Sequence, residues 1–105
     1  MVKNEQTEKV ASFVSELKFE DIPGEVLQRT KMLILDTFGC AIFGAELPWT
    51  NILYETLHEN DCGNSHVVWG TNRTLSSINA TLLNGTQVQS FELDDIHRRG
   101  VLHVG

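Results

Sequence analysis

Residues 25–43 read EVLQRTKMLILDTFGCAIF, and the reading of this stretch decides the fold. At 3.6 residues per turn its apolar set covers more than half the circumference: Val26, Leu27, Met32, Leu33, Ile34, Leu35, Phe38, Ala41, Ile42 and Phe43. A helix that apolar is buried on several sides, not laid on a surface. A chain of 105 residues makes one small domain, with hardly enough neighbours to cover such a helix. The expectation is an all-α architecture that is incomplete by itself. Asp36, set within the apolar run, is expected to be a buried structural acid with a hydrogen-bond partner.

Working outward, Pro23 disfavours helix at Ile22 and Gly24 loosens the turn, so Phe19–Gly24 reads as a break. Before it, Val10, Phe13, Val14 and Leu17 form the i, i+3, i+4, i+7 stripe of an amphipathic helix. After the long helix, Gly44–Trp49 is a second break, followed by a third helix over about Thr50–His58 with Ile52, Leu53, Thr56 and Leu57 inward. Asn60–Ser65 is a loop, and His66–Gly70 suits a short strand or extended connector. Ser76 or Ser77 serves as N-cap of a fourth helix whose core face is Ile78, Leu82 and Leu83. Gly85 interrupts that helix at about 1 kcal/mol relative to Ala, a cost that close packing at Gly85 would explain. No repeat, linker or low-complexity tract is present.

Composition narrows the function classes. The hydrophobic fraction of 41% and charged fraction of 21% are those of a globular protein. The formal net charge is −6 and the basic residues do not cluster, which argues against nucleic acid as the partner. No apolar run approaches the roughly 20 residues that span a bilayer, and the polar N-terminus lacks the apolar core of a signal peptide. The chain is therefore expected to be cytoplasmic, with no membrane partner. Cys40 reads as a buried free thiol; pairing with Cys62 is open by sequence, though nothing points to secretion.

The chemistry converges on Ser90–Gly105, SFELDDIHRRGVLHVG. Glu92, Asp94, Asp95, His97 and His103 fall within twelve residues. Carboxylates and imidazoles this close tune one another, and such a pair can take a proton from carbon and return one to a leaving group. Adjacent Asp94 and Asp95 at a helix C-terminus oppose the helix dipole, which favours function over structure. Asp95 and His97 diverge in a regular helix, so productive geometry needs the helix to end near Asp95 and the chain to turn, with Gly100 easing the turn. His58 and His66 stand alone and read as structural or solvated. Asp, His and His could also hold a divalent metal, but the spacing matches no compact metal motif.

The blocks Ile22-Pro-Gly-Glu-Val26, Lys31–Ala45, Trp69–Ser76, Asn79–Thr86 and Glu92–His97 with Leu102–Gly105 resemble, in order, the opening motifs of the MmgE/PrpD family. The resemblance covers nearly the whole chain. It implies a large helical domain with an α/β lid, usually in a homodimer, acting on small di- and tricarboxylates without metal or organic cofactor. Family reactions include 2-methylcitrate dehydration, cis-aconitate decarboxylation and iminodisuccinate epimerisation. By that match the chain is an N-terminal portion of the helical domain, with lid and cationic residues beyond Gly105, and is inactive alone. His103 is then the acid/base group, Glu92 and Asp95 orient it or share its proton, and His97 and Asp94 face substrate. Dehydration of a 2-methylcitrate-like acid leads. A non-catalytic remnant or interaction module and a small metal-dependent hydrolase are the alternatives. Ile96 stands where the family pattern has threonine, Val104 where it has proline, and Glu92 lengthens an aspartate by a methylene.

Overall fold

The computed structural model describes residues 4–103. It is all-α in class, with four α-helices and two minimal antiparallel ladders. The chain divides into two compact units, one up to Lys31 and one from Met32 onward.

In the first unit, α1 spans Glu5–Glu16. Asn4 caps it, its Oδ1 accepting from the Gln6 N–H at 3.2 Å and the Thr7 N–H at 3.4 Å, and Glu5 and Glu8 suit the positive end of the helix dipole. The predicted stripe of Val10, Phe13 and Val14 is present but buries nothing. A single 3-10 turn at Phe19–Asp21 and extended Ile22 lead to Pro23. Helix α2 is Gly24–Gly44, 21 residues, its residues from Met32 onward belonging to the second unit; its first bonds run from Val26 and Leu27 N–H to the Pro23 carbonyl.

The expectation that α2 is buried on several sides is corrected. Only Cys40, Ala41 and Gly44 of α2 are buried. Among the described residues, Met32, Ile34, Leu35, Ile42 and Phe43 stay more than half exposed. Asp36, expected to be buried and paired, is exposed.

In the second unit, α3 spans Pro48–His58, starting two residues earlier than expected because proline suits the first turn. The strands β1 (His66–Val67) and β2 (Thr74–Leu75) pair antiparallel, His66 opposite Leu75 and Val67 opposite Thr74. Helix α4 spans Ser77–Gln89. One core cluster joins Val68, Leu75, Ala80 and Leu83 with Leu53, Tyr54 and Leu57 of α3. A second joins Cys40, Ala41 and Val88 with Trp69 and Phe91.

The inward face of α4 is Ala80, Leu83, Asn84, Gln87 and Val88. Ile78 and Leu82, predicted inward, are 79% and 52% exposed. A polar clamp sets the rotation: Asn84 Oδ1 accepts from the Trp69 N–H at 2.9 Å and its Nδ2 donates to the Val67 carbonyl at 3.1 Å, so the connector's backbone is satisfied from the helix. Gln87 adds a bond to the Trp69 carbonyl at 3.3 Å. The tight crossing is at Gly44, whose missing Cβ would strike the backbone of Gln87, and not at Gly85, which faces open space.

The N-terminus of α4 is held from the preceding loop. Ser76 makes no side-chain cap bond; instead Asp61 Oδ2 accepts the Ser76 N–H at 2.8 Å, and Oδ1 the Gly63 N–H at 2.9 Å. These amides, that of Ser76 foremost, pull the Asp61 carboxyl down to about 2. Among the described residues no single helix is long and apolar enough to cross a membrane; α2 and α3 pass on length and composition only as a pair bent by 84°.

Candidate active site

Helix α4 ends at Gln89, six residues before Asp95, so the expected helix end near Asp95 is corrected. Phe91 anchors the exit, meeting Phe43 edge to face at 4.9 Å between ring centres. Glu92 then takes a left-handed φ of 59° and is steadied by Gln89, whose Nε2 donates to Glu92 Oε1 at 2.8 Å. The chain continues through Asp94 and Asp95 into a hairpin of β3 (Ile96–His97) and β4 (Leu102–His103), with Ile96 opposite His103 and His97 opposite Leu102.

The turn between these strands forms differently from the sequence expectation. Val101, not Gly100, adopts the left-handed conformation, at φ 51°. The His97 carbonyl accepts the Val101 N–H at 2.8 Å, and His97 Nδ1 accepts the Gly100 N–H at 3.0 Å. A β-branched residue at positive φ costs on the order of 1–3 kcal/mol. Of the two left-handed residues, Glu92 lies within the stretch of acids and imidazoles and Val101 two residues before His103.

The hairpin register brings His103 back onto Asp94. His103 Nδ1 lies 2.9 Å from Asp94 Oδ2, and its Nε2 lies 3.8 Å from Glu92 Oε2. The side chains are 29% exposed for His103, 2% for Asp94 and 72% for Glu92. One imidazole edge is thus turned to a buried acid and the other to an exposed one. Asp94 Oδ1 and Asp95 Oδ1 are both buried, with no hydrogen-bond donor among the described residues. Burial pushes the Cys40 thiol up, and the charges of Asp36, Asp94 and Asp95 push it further. Cys40 and Cys62 are both free.

Of the residues singled out in sequence, the structure brings together His103, Asp94 and Glu92. Asp95 lies beside them without a hydrogen bond to His103, and His97 turns into its own hairpin. His58 stacks on Tyr54 at 5.3 Å, and His66 contacts Ser65. Val104 lies outside the described residues. What linear reading missed is the pairing of Asp94 with His103, nine residues apart, for which no spacing rule exists; only the register of β3 against β4 creates it. Among the described residues no three of His, Cys, Asp or Glu are arranged to hold a metal ion. Beside the site, an open groove of about 750 Å³ is lined by Met32, Leu35, Phe43, Phe91 and Leu93, with Asp36 and Cys40 on its wall.

The family pattern described as the MmgE/PrpD N-terminal domain matches residues 8–105. A cis-aconitate decarboxylase-like protein of Aspergillus oryzae is 37% identical over 97 residues, 92% of this chain and 20% of its own length. A cis-aconitate decarboxylase of Aspergillus terreus is 34% identical over 101 residues, 96% of this chain and 21% of its own. The human cis-aconitate decarboxylase is 30% identical over 92 residues, 85% of this chain and 19% of its own. This chain therefore spans about a fifth of the length of the curated relatives it matches. No solved structure matches.

Proposed function

Because the chain belongs to the MmgE/PrpD family, we propose that the polypeptide carrying it is a lyase acting on a small polycarboxylate, with His103 as its acid/base group. The observation that carries this reading is the placing of His103 between Asp94 at 2.9 Å and Glu92 at 3.8 Å. An imidazole held on one nitrogen and open on the other can move a proton to or from carbon near neutral pH. The named relatives favour decarboxylation of a cis-aconitate-like tricarboxylate. Loss of carbon dioxide leaves an electron pair on carbon, and the protonated imidazole supplies the proton that quenches it. Dehydration of a 2-methylcitrate-like hydroxy acid would use the same group with water leaving instead.

With a formal charge of −6, this stretch does not by itself neutralise a tricarboxylate. The reading therefore includes cationic residues from further polypeptide and a homodimeric assembly, with no metal or organic cofactor. Tests are carbon dioxide release from cis-aconitate and loss of water from 2-methylcitrate, each with His103→Ala. The reading predicts a loss of at least about 100-fold, the usual range for an acid/base group; an unchanged rate would sink it.

The exposed faces of α1 and α2 favour a second reading, a non-catalytic interaction module. It expects purified material to be oligomeric with no turnover on either substrate, so one preparation separates the two.

A further inference from the structure

We propose that Asp94 is a positioning residue for His103: it holds the proton on Nδ1 and leaves Nε2 as the atom that exchanges a proton with substrate. The inference rests on the lyase reading above and deepens it. Three observations carry it.

The first is the contrast between two carboxylates of the same chain. Asp61 behaves as a structural aspartate, accepting backbone N–H groups from Gly63 and Ser76. The Asp94 side chain is only 2% exposed, yet among the described residues its one hydrogen bond goes to the His103 ring. A carboxylate removed from water and given a single side-chain partner does little to hold its own loop, and burying it is costly unless that partner answers it. Second, His103 Nδ1 lies 2.9 Å from Asp94 Oδ2, and an ionised carboxylate only accepts, so an ionised Asp94 requires the proton on Nδ1. Nε2 then faces the more exposed side, where the nearest acid, Glu92, is 3.8 Å away. Third, each member of the pair sits two residues after a left-handed non-glycine residue, Glu92 before Asp94 and Val101 before His103. The two backbone bends that aim the pair are thus kept at some energetic expense.

The experiment uses the polypeptide that carries this sequence, labelled with 15N, and reads the His103 ring nitrogens together with turnover of cis-aconitate. The neutral wild-type ring is expected to be protonated at Nδ1. Asp94→Asn is expected to lose that preference, to lower kcat by about 100-fold with KM changed less than about threefold, and to displace the His103 limb of the pH–rate profile. Asp94→Glu, which keeps the acceptor, is expected to recover part of kcat and the wild-type profile. A wild-type ring protonated at Nε2 would overturn the inference, and this result needs no variant to fold. So would Asp94→Asn with kcat within about threefold and an unmoved profile. If His103→Ala is inactive while Asp94→Asn is not, the positioning role alone fails. If His103→Ala keeps its rate, the acid/base reading fails as well.

Discussion

Replacing Gly44 with alanine tests the packing on which the site stands. Gly44 ends α2 where it crosses α4. A Cβ there would overlap the carbonyl oxygen of Gln87 and lie 2.7 Å from its carbonyl carbon and 2.9 Å from its Cα. All three are backbone atoms of a helix and cannot rotate away. Bringing the 2.7 Å contact to an ordinary 3.4 Å already requires the two helices to part by about 0.7 Å at that point, and clearing the carbonyl oxygen requires more. Overpacking of this kind costs about 1–3 kcal/mol. Parting the helices also strains the buried bond from Thr50 Oγ1 to the Gly44 carbonyl, 2.6 Å long, worth about 1 kcal/mol. Against this stands the gain of about 1 kcal/mol from removing a helical glycine. The net expectation is a destabilisation of about 1–3 kcal/mol, read as a lower urea midpoint at constant slope. Gly39→Ala and Gly85→Ala are matched controls, since neither Cβ would meet anything within 4 Å; both should be neutral or stabilising by up to about 1 kcal/mol. A Gly44→Ala protein as stable as these controls would refute the close approach of α2 and α4.

Other expectations follow from single features. Cys62 is exposed while Cys40 is buried with a raised pKa, so maleimide or Ellman labelling at pH 7.5 (about one unit below a free thiol's pKa) should modify Cys40 at least about tenfold more slowly; equal rates would count against the burial of Cys40. Asp61 has its pKa lowered from 3.8 to about 2, so its stabilising effect is complete above about pH 4 and is lost as pH falls through about 2. The stability gap between wild type and Asp61→Ala should therefore be open at neutral pH and close over that window. Val101→Gly removes a left-handed β-branched residue and should stabilise by about 1 kcal/mol, the relief of strain exceeding the entropy of an added glycine. A destabilised Val101→Gly protein would mean that the positive φ carries no strain.

Much of the fold was legible in the linear pattern because it depends on local chemistry. The break at Ile22–Pro23 and the helical periods before and after it are properties of neighbouring residues, and α1, α2, α3 and α4 all appear where they were expected. The clustering of acids and imidazoles after α4 was equally plain. The inward face of α4 was not. Ile78 and Leu82 are as apolar as a core residue needs to be, yet they face outward, because Asn84 and Gln87 must reach the backbone of Val67 and Trp69. A buried backbone left without partners costs more than two exposed aliphatic side chains gain by burial. Asp36 and the outer face of α2 escaped for a related reason: apolar content states what a helix requires, not whether this chain contains the elements that would supply it.

Residue type and order were enough to fix which segments are helical, the family to which the chain belongs, and the short stretch in which its acids and imidazoles gather. Each of these is carried by residue type and spacing along one strand of text. The tertiary structure alone decided that Asp94 meets His103, that Asp95 does not, and that Gly44 and not Gly85 is the point of closest helix approach. Those outcomes depend on the register of β3 against β4 and on the crossing of α2 with α4. Both are set by the summed packing and hydrogen bonding of distant residues, and one residue of slippage in either would have paired different atoms.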